Sequence, residues 1–481
     1  MARLSVDEVT RAVNGRIASG DPGGACSGAA IDSRAVRGGE VFFAFAGERT
    51  DGHRFVPDAL ARGAGAAVVN RGSDRSVGSG GSVGSSGAVI EVEDTFQALH
   101  DLARFVRQRV PERLAGITGS AGKTTTKELL AAILASRFRV FPTPGNLNNL
   151  YGFPLSLLNV PDGTEWMVAE MGMSTAGELR QLSLLGRPDA ALFTVVRPVH
   201  LEFFDSVRGI AEAKSELLAG LSPDGLIIAN ADDPQVARIA RRHAEGADWR
   251  GRLVWYGIHA KADVQARDLS ALAPELEGIG SRFRLEAGGA SVDVRLPIHG
   301  LYNVENCLAA AACAWAVGLP LPEIAEAVRG VVHRLAGPRG TFTLVDDSYN
   351  SNPDALGKAL DSARHLPGAR RLAVLGDMLE LGPQGPQFHR DSGEEAARLG
   401  FSPVVGVGEL SRELVAGAQA AGAEAVWLPD AAAAAEWAAS EVRGGDVLLV
   451  KGSRGIKLDG VVRHLLERFA VSSEGPGEGG A

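Results

Sequence analysis

The run Thr118-Gly119-Ser120-Ala121-Gly122-Lys123-Thr124-Thr125 brings glycines, hydroxyls and a lysine together in a pattern suited to phosphate. Glycines let successive backbone N–H groups turn onto phosphate oxygens, and the N-terminus of a following helix adds the positive end of its dipole. In that chemistry the loop from Gly119 through Thr125 wraps the phosphates, Lys123 reaches the β- and γ-phosphates, and the Thr124 hydroxyl holds Mg²⁺. Strict phosphate-loop spacing wants glycine where Ile117 stands, and Gly116 is one residue out. A glycine-rich turn that only caps a helix is the plainer alternative. The strand before the loop and the Gly-Lys-Thr run favour phosphate.

Three further residues carry chemistry by position. Glu170 ends the apolar run Trp166–Glu170. In a parallel sheet the carboxyl ends of the strands line the ligand crevice, so its carboxylate suits a second Mg²⁺ ligand or an ordinary strand-end acid. His200 follows the apolar run Ala190–Val196 and so belongs to the same edge, as a ligand or as a structural histidine. Lys214 sits inside the helical stripe Val207, Ile210, Ala211, Leu217, Leu218, Leu221 rather than opposite it. Either its stem packs along the core with a snorkelling ammonium, or its charge is neutralised or modified because the site requires it. Position alone leaves both open.

These residues need a scaffold, and the rest of the chain supplies one. A length of 481 residues suggests about three domains, and 45% apolar with 22% charged residues suits a globular chain. The net charge of −9 argues against a nucleic-acid partner, whose phosphates call for a basic face. Cys26, Cys307 and Cys313 are odd in number and lack metal-ligand spacing, which fits a reducing compartment. Met1 to Val13 shows no apolar signal-peptide region, and the apolar run between Glu305 and Glu323 is broken by Gly318 and Pro320. A cytoplasmic protein without a membrane span is therefore expected.

The pattern is α/β throughout. Up to residue 109, short strands (Val41–Phe45, Ala66–Val69, Val89–Val92) mix with helices, interrupted by a Gly/Ser-rich surface loop at 71–87. From 110 to 333, strands Arg113–Thr118, Trp166–Glu170, Ala190–Val196 and Gly225–Asn230 alternate with helices such as Lys123–Ser136. That alternation predicts a parallel sheet. Arg252–Leu296 reads as β-rich and irregular, before a helix Val304–Val317. From 334 to 471 a second alternation (Phe342–Asp346, Leu372–Gly376, Val404–Val407, Val447–Val450) predicts a Rossmann-like domain. Residues 472–481 read as a disordered tail.

Taken in order, TGSAGKTTTKELL (118–130), Glu170 and PVHLEFFDSVRGIAEAKSEL (198–217) resemble the central domain of the Mur ligase family. The resemblance implies that Lys214 is carbamylated by CO₂ and, with His200, holds a second Mg²⁺. HGLYNVENCLAAAA (299–312) is similar to a family segment whose asparagine, here Asn303, contacts adenine. His333–Gly340 resembles the inter-domain hinge, which implies that Arg334 reaches the ATP phosphates. In DDSYNSNP (346–353), Asp347 would take the ribose hydroxyls. Asp32-Ser33-Arg34 with VFFAFAGERTDGHRF (41–55) resembles a UDP-sugar-binding domain, which makes Ser33 and Arg34 substrate candidates and 1–109 the UDP-substrate domain. The central domain is then the ATPase unit and 334–471 the C-terminal ligase domain. GNLNNLYGFPLSLL (145–158), DDSYNSNP, LGDMLELG (375–382) and KGSRG (451–455) resemble the family member acting last on the peptide, and no DNPR-type motif of the preceding member is present.

The implied reaction joins UDP-N-acetylmuramoyl-tripeptide to D-Ala-D-Ala through an acyl phosphate, with ATP and two Mg²⁺ ions. Lys123, Lys214 and His200 are the expected catalytic residues, and a monomer is expected. Asn146 and Asn149 are substrate candidates, or else members of an Asx turn. Two rivals are a sister ligase, adding the third amino acid or acting on folate polyglutamate, and a non-catalytic nucleotide-binding regulator. A regulator would be expected to lose Glu170, Lys214 or His200 first, and all are present.

Overall fold

The computed structural model describes residues 4–47, 50–73, 87–144, 147–198, 204, 206–271, 280–296, 300–328, 332–337, 339–348, 351, 353–379, 381 and 384–471. Asn146, His200, most of the 71–87 loop and the 472–481 tail lie outside the described residues, and so does the side chain of Arg334. Two compact units emerge: Met1–Val264 with Leu308–Gly318, and Gln265–Cys307 with Leu319–Ala481. Among the described residues, no helix is long and apolar enough to cross a membrane.

The first unit opens with a small sheet of strands β1 (Arg16–Ser19), β2 (Ala29–Ala30), β3 (Val41–Phe43), β4 (Ala66–Asn70) and β5 (Ala88–Val92), in the order β1-β5-β4-β3-β2. Helix α1 (Thr95–Arg107) starts there because Asp94 accepts from the N–H groups of Phe96 and Gln97. Its stripe Leu99, Leu102, Ala103, Val106 is buried at helical spacing. That stripe shares one apolar core with Leu114, Phe153 and Met167 of the larger sheet and its helices. The chain up to residue 109 is therefore packed continuously against the larger sheet of the same unit.

The larger sheet holds β6 (Arg113–Thr118), β7 (Val140–Pro142), β8 (Trp166–Glu170), β9 (Ala190–Phe193), β10 (Leu226–Asn230) and β11 (Arg252–Gly257). They run parallel in the order β11-β10-β9-β6-β8-β7. The chain winds one way from β6 to β7 and the other way from β8 to β9, so β6 lies at the switch point where ligands bind in open α/β sheets. Register pairs Ile117 with Glu170 and Thr118 with Phe193, which sets those strand ends side by side.

Two expectations are corrected in this unit. The strand expected over Ala190–Val196 stops at Phe193, because the next residues leave the sheet to brace the 118–125 loop. The helix around Lys214 is α5 (Val207–Ser215), and Glu216–Gly220 tightens to a 3₁₀ turn instead of continuing to Leu221. Ser183 accounts for that change: its hydroxyl donates to Leu217 O at 2.5 Å and accepts from Gly220 N–H at 2.9 Å. A Cβ at Gly220 would lie 2.0 Å from Ser183 O, so only glycine allows the approach.

The described residues of the segment expected to be β-rich and irregular, Arg252–Leu296, are mostly in regular strands. Strands β12 (Ser281–Ala287) and β13 (Ala290–Leu296) form an antiparallel hairpin in the second unit. Gly288 and Gly289 both take positive φ, as its two-residue turn requires. The helix expected over Val304–Val317 spans Leu301–Ala316.

The second unit's main sheet comprises β14 (Val332–Gly337), β15 (Gly340–Asp347), β16 (Arg370–Gly376), β17 (Phe401–Val407), β18 (Ala425–Leu428), β19 (Asp446–Lys451) and β20 (Ala470–Val471). Its order is β18-β17-β16-β19-β15-β14-β20, with the β18-to-β15 run parallel and separate apolar clusters packed around it. β14 and β18 were not anticipated from sequence. β14 pairs antiparallel with β15, with Gly337 opposite Gly340.

Asp377, in LGDMLELG, is 5% exposed and accepts from Leu410 N–H, Ser411 N–H and Ser411 Oγ. Fully buried His389 accepts from Met378 N–H through Nε2 and donates from Nδ1 to Gly385 O. Asp377 is thus an internal brace. Asp377→Ala should leave those donors unpaired and cost about 3 kcal/mol, measurable by urea unfolding. A loss within ~0.5 kcal/mol, the range of an ordinary surface change, would remove the brace from the account.

All three cysteines are buried free thiols, and burial pushes Cys26 up to about 11 and Cys307 and Cys313 up to about 12.

Candidate functional site

Helix α2 (Lys123–Ala135) begins directly after the glycine-rich loop, at Gly122 with φ 82°. Several other helices of this unit have side-chain caps, among them Asp94 on α1, Ser206 on α5, and Asp233 on α6 (Pro234–Ala244). Gly122 has no side chain to offer, so the first turn of α2 keeps its N–H donors for an anion.

The loop is held from β9. Ser120 N–H donates to Val195 O at 2.7 Å, and Thr194 Oγ1 donates to Ala121 O at 2.6 Å. Ser120 Oγ donates to Arg197 O at 3.0 Å and accepts from Arg197 N–H at 2.9 Å. Arg197 is in turn tied to Asp233 at 3.0 Å. A Cβ on Gly119 would lie 1.8 Å from Thr194 Oγ1, so this contact admits glycine alone.

Glu170 is 4% exposed and its carboxylate organises the mouth of the loop. Oε2 accepts from Thr124 Oγ1 at 2.7 Å, Oε1 accepts from Asn148 Nδ2 at 2.8 Å, and Lys123 Nζ stands 3.9 Å from Oε1. Thr143 Oγ1 accepts the Glu170 N–H at 3.1 Å, which fixes the strand end as well. Among the described residues, no group of three or more His, Cys, Asp or Glu gathers as a metal cluster. A cation here would draw on mixed oxygen donors: Thr124, Glu170 and phosphate. That is how Mg²⁺ is commonly held beside a nucleotide, so the residues fit it.

Lys214 is 3% exposed, and its Nζ donates to Gly119 O at 3.0 Å. Burial, then the nearby Lys123 charge, lowers its pKa to about 7. The snorkelling alternative is excluded: the ammonium end points inward to the loop. A neutral amine is well populated near pH 7, which is the form that adds CO₂.

The structure therefore brings Gly119, Ser120, Ala121, Gly122, Lys123, Thr124, Thr125, Glu170 and Lys214 to one edge of the larger sheet. The remaining described candidates have local partners of their own. Ser33 is buried with its hydroxyl on Asp58, and exposed Arg34 pairs with Asp32 at 2.8 Å. Asn149 Oδ1 accepts from Tyr151 and Gly152 N–H at the start of α3 (Gly152–Leu158). In the second unit Asn303 is buried near Asn306, and Asp347 pairs with buried Lys451 at 2.8 Å, its cross-strand neighbour.

Sequence reasoning missed Asn148, Thr194 and Lys451. Asn148 and Lys451 lie inside GNLNNLYGFPLSLL and KGSRG, and nothing in spacing separates them from their neighbours there.

Comparison with known proteins agrees with this geometry. Residues 26–107 match the Mur ligase family catalytic domain, 117–314 the Mur ligase middle domain, and 332–454 the Mur ligase glutamate ligase domain. The UDP-N-acetylmuramoyl-tripeptide–D-alanyl-D-alanine ligase of Bacillus subtilis is 34% identical over 92% of this chain and 93% of its own. That of Escherichia coli is 34% identical over 97% and 99%. A crystal structure of MurF from Acinetobacter baumannii superposes with a TM-score of 0.63 at 28% identity, covering 97% of this chain and 99% of that one. MurF from Thermotoga maritima, solved in complex with ADP, gives 0.53 at 28% identity, covering 92% and 98%. With an uncapped phosphate helix, a buried lysine on its loop and relatives spanning nearly its full length, this chain belongs to the Mur ligase family.

Proposed function

We infer that this protein joins the terminal carboxylate of UDP-N-acetylmuramoyl-tripeptide to the amine of D-Ala-D-Ala at the expense of ATP, as the last cytoplasmic peptide-adding step of peptidoglycan precursor synthesis. The observation that carries this reading is the full-length likeness to enzymes named for that reaction. The site geometry supports its chemistry.

The peptide carboxylate attacks the γ-phosphate, giving an acyl phosphate and ADP. The amine of D-Ala-D-Ala then attacks the acyl carbon and phosphate leaves. Such transfer asks the protein mainly for positioning and charge neutralisation. The N–H donors at the start of α2 and the Lys123 ammonium hold the phosphates. Glu170 holds the Thr124 hydroxyl in place and is itself held by Asn148. Bound Mg²⁺ would neutralise phosphate charge, one ion on Thr124 and Glu170 and a second on carbamylated Lys214 and His200. The neutral Lys214 amine would add CO₂ by forming an N–C bond and releasing one proton, leaving an anionic carbamate near Lys123, whose charge repels the ammonium form. In the second unit, Asn303, Arg334 and Asp347 are assigned to adenine, phosphate and ribose. Ser33, Arg34, Asn146 and Asn149 are assigned to the UDP-linked substrate.

Phosphate release from ATP tests the assignment. It is expected only when UDP-N-acetylmuramoyl-tripeptide and D-Ala-D-Ala are both present. Turnover with the dipeptide precursor and a diamino acid instead would move the protein one step back in the pathway.

A further inference from the structure

The segment Leu147–Gly152 ties several elements of the first unit together. Asn148 Nδ2 reaches Glu170 at 2.8 Å, and Asn148 O accepts from Gly172 N–H at 2.9 Å. Leu150 O accepts from His100 Nε2 on α1 at 2.7 Å, which places the imidazole proton on that nitrogen. The Tyr151 ring meets Phe45 edge-on with centroids 5.3 Å apart, and Phe96 of α1 at 4.9 Å. Phe96 lies 4.6 Å from the His100 ring. At Gly152 a Cβ would fall 2.5 Å from Leu147 Cα, so the segment folds back on itself only around glycine.

These contacts make a continuous tie within the first unit. Phe45 lies just beyond β3, while Phe96 and His100 lie on α1. At the other end Asn148 orients the carboxylate that accepts from Thr124. None of these side chains except Asn148 has a part in the phosphoryl chemistry. Yet Tyr151 is 45% exposed in the middle of an aromatic cluster. Large aromatic rings are normally buried with their neighbours, so an open edge beside Phe45 leaves contact area for an occupant.

We propose that Tyr151 and His100 are positioning residues that couple occupancy beside Phe45 to the orientation of Glu170, so that the UDP-linked substrate and the nucleotide bind cooperatively. The identity of the first ligand rests on the proposed function; the coupling rests on the contacts. An occupant packed on the open edge of Tyr151 restricts the ring, the Leu150 carbonyl and the Asn148 amide together. The nucleotide then meets a Glu170 already ordered, and by linkage each ligand tightens the other by the same factor.

The test is calorimetric titration of the full chain with ADP, with and without saturating UDP-N-acetylmuramoyl-tripeptide. Wild type should bind ADP about fivefold or more tightly in its presence. Tyr151→Ala and His100→Leu should bring that ratio to within about twofold of unity, with ADP binding alone unchanged. His100→Gln, which keeps an N–H at similar reach, should retain the ratio. A merely structural role would weaken ADP binding alone and leave the ratio intact. A wild-type ratio of one, or one that survives both disruptive variants, overturns the coupling. Absence of any heat from the UDP-linked substrate overturns the substrate assignment instead, so the two failures are told apart.

Discussion

Lys214→Ala should lower kcat by about 10²–10³-fold, the scale on which a preorganised charge at a transferring phosphoryl group acts. Added bicarbonate should not restore it. Lys214→Arg should be equally impaired, because a guanidinium cannot form a carbamate and remains charged beside Lys123. Under the proposed carbamylation the amine must be neutral to add CO₂. With its pKa lowered to about 7, activity at fixed dissolved CO₂ should rise as pH passes through that value.

Stability should rise with pH at this position as well, while removal of the lysine should separate stability from activity. The folded pKa lies below the ordinary lysine value of 10.5, so between about 7 and 10.5 the unfolded chain binds more protons than the folded one. Uncarbamylated protein therefore gains stability as pH rises across that window, and below about 7 it carries the full cost of a buried ammonium. Lys214→Met should accordingly resist urea better than CO₂-free wild type at a pH of about 6. Wild-type turnover in the alanine variant, or a methionine variant less stable under those acidic conditions, would remove Lys214 from the site.

Gly119→Ala is the second large effect. The added methyl would stand 1.8 Å from Thr194 Oγ1, whose own hydrogen bond holds Ala121 O. The loop must move, at an overpacking cost of about 1–3 kcal/mol. ADP affinity should fall at least about tenfold and turnover about a hundredfold, since misplaced phosphates lose the alignment that transfer needs. Thr194→Ala removes the clashing oxygen, so the double variant should recover part of the ADP affinity, a coupling that isolated substitutions would not show. Gly460→Ala, with nothing within 4 Å of the new methyl, is the silent control. Undiminished ADP binding by Gly119→Ala would mean that the loop does not hold the phosphates.

How far the letters carry is clearest at the phosphate edge. Strands Arg113–Thr118 and Trp166–Glu170 are legible to the residue, because buried parallel strands are short apolar runs with polar ends. Lys214 is legible as an anomaly, since a cation inside an apolar stripe breaks the helical pattern. Its resolution needs Gly119 O, which lies far away in sequence. Asn148 is hidden for the opposite reason. It stands among asparagines of equal standing, and only the pairing of β7 with β8 and the tie of its carbonyl to Gly172 N–H select the one that meets Glu170. Thr194 reads as strand interior because its neighbours are apolar; its work begins where the ladder ends. In the second unit, β14 and β18 escape notice because His333 and Arg334 interrupt one apolar run and the other is only four residues long. Asp347 reads as a strand-end acid, and its pairing with Lys451 is set by strand register, a cross-strand fact that no local window contains.

The three buried thiols have a practical reach. A thiol held at about 11 or 12 and sealed from solvent presents almost no thiolate to a maleimide at neutral pH. The native chain is therefore its own silent background. A single cysteine introduced at an exposed position would be the one reactive group, and a dye or spin label placed there could follow movement during turnover without first stripping the interior of sulfur.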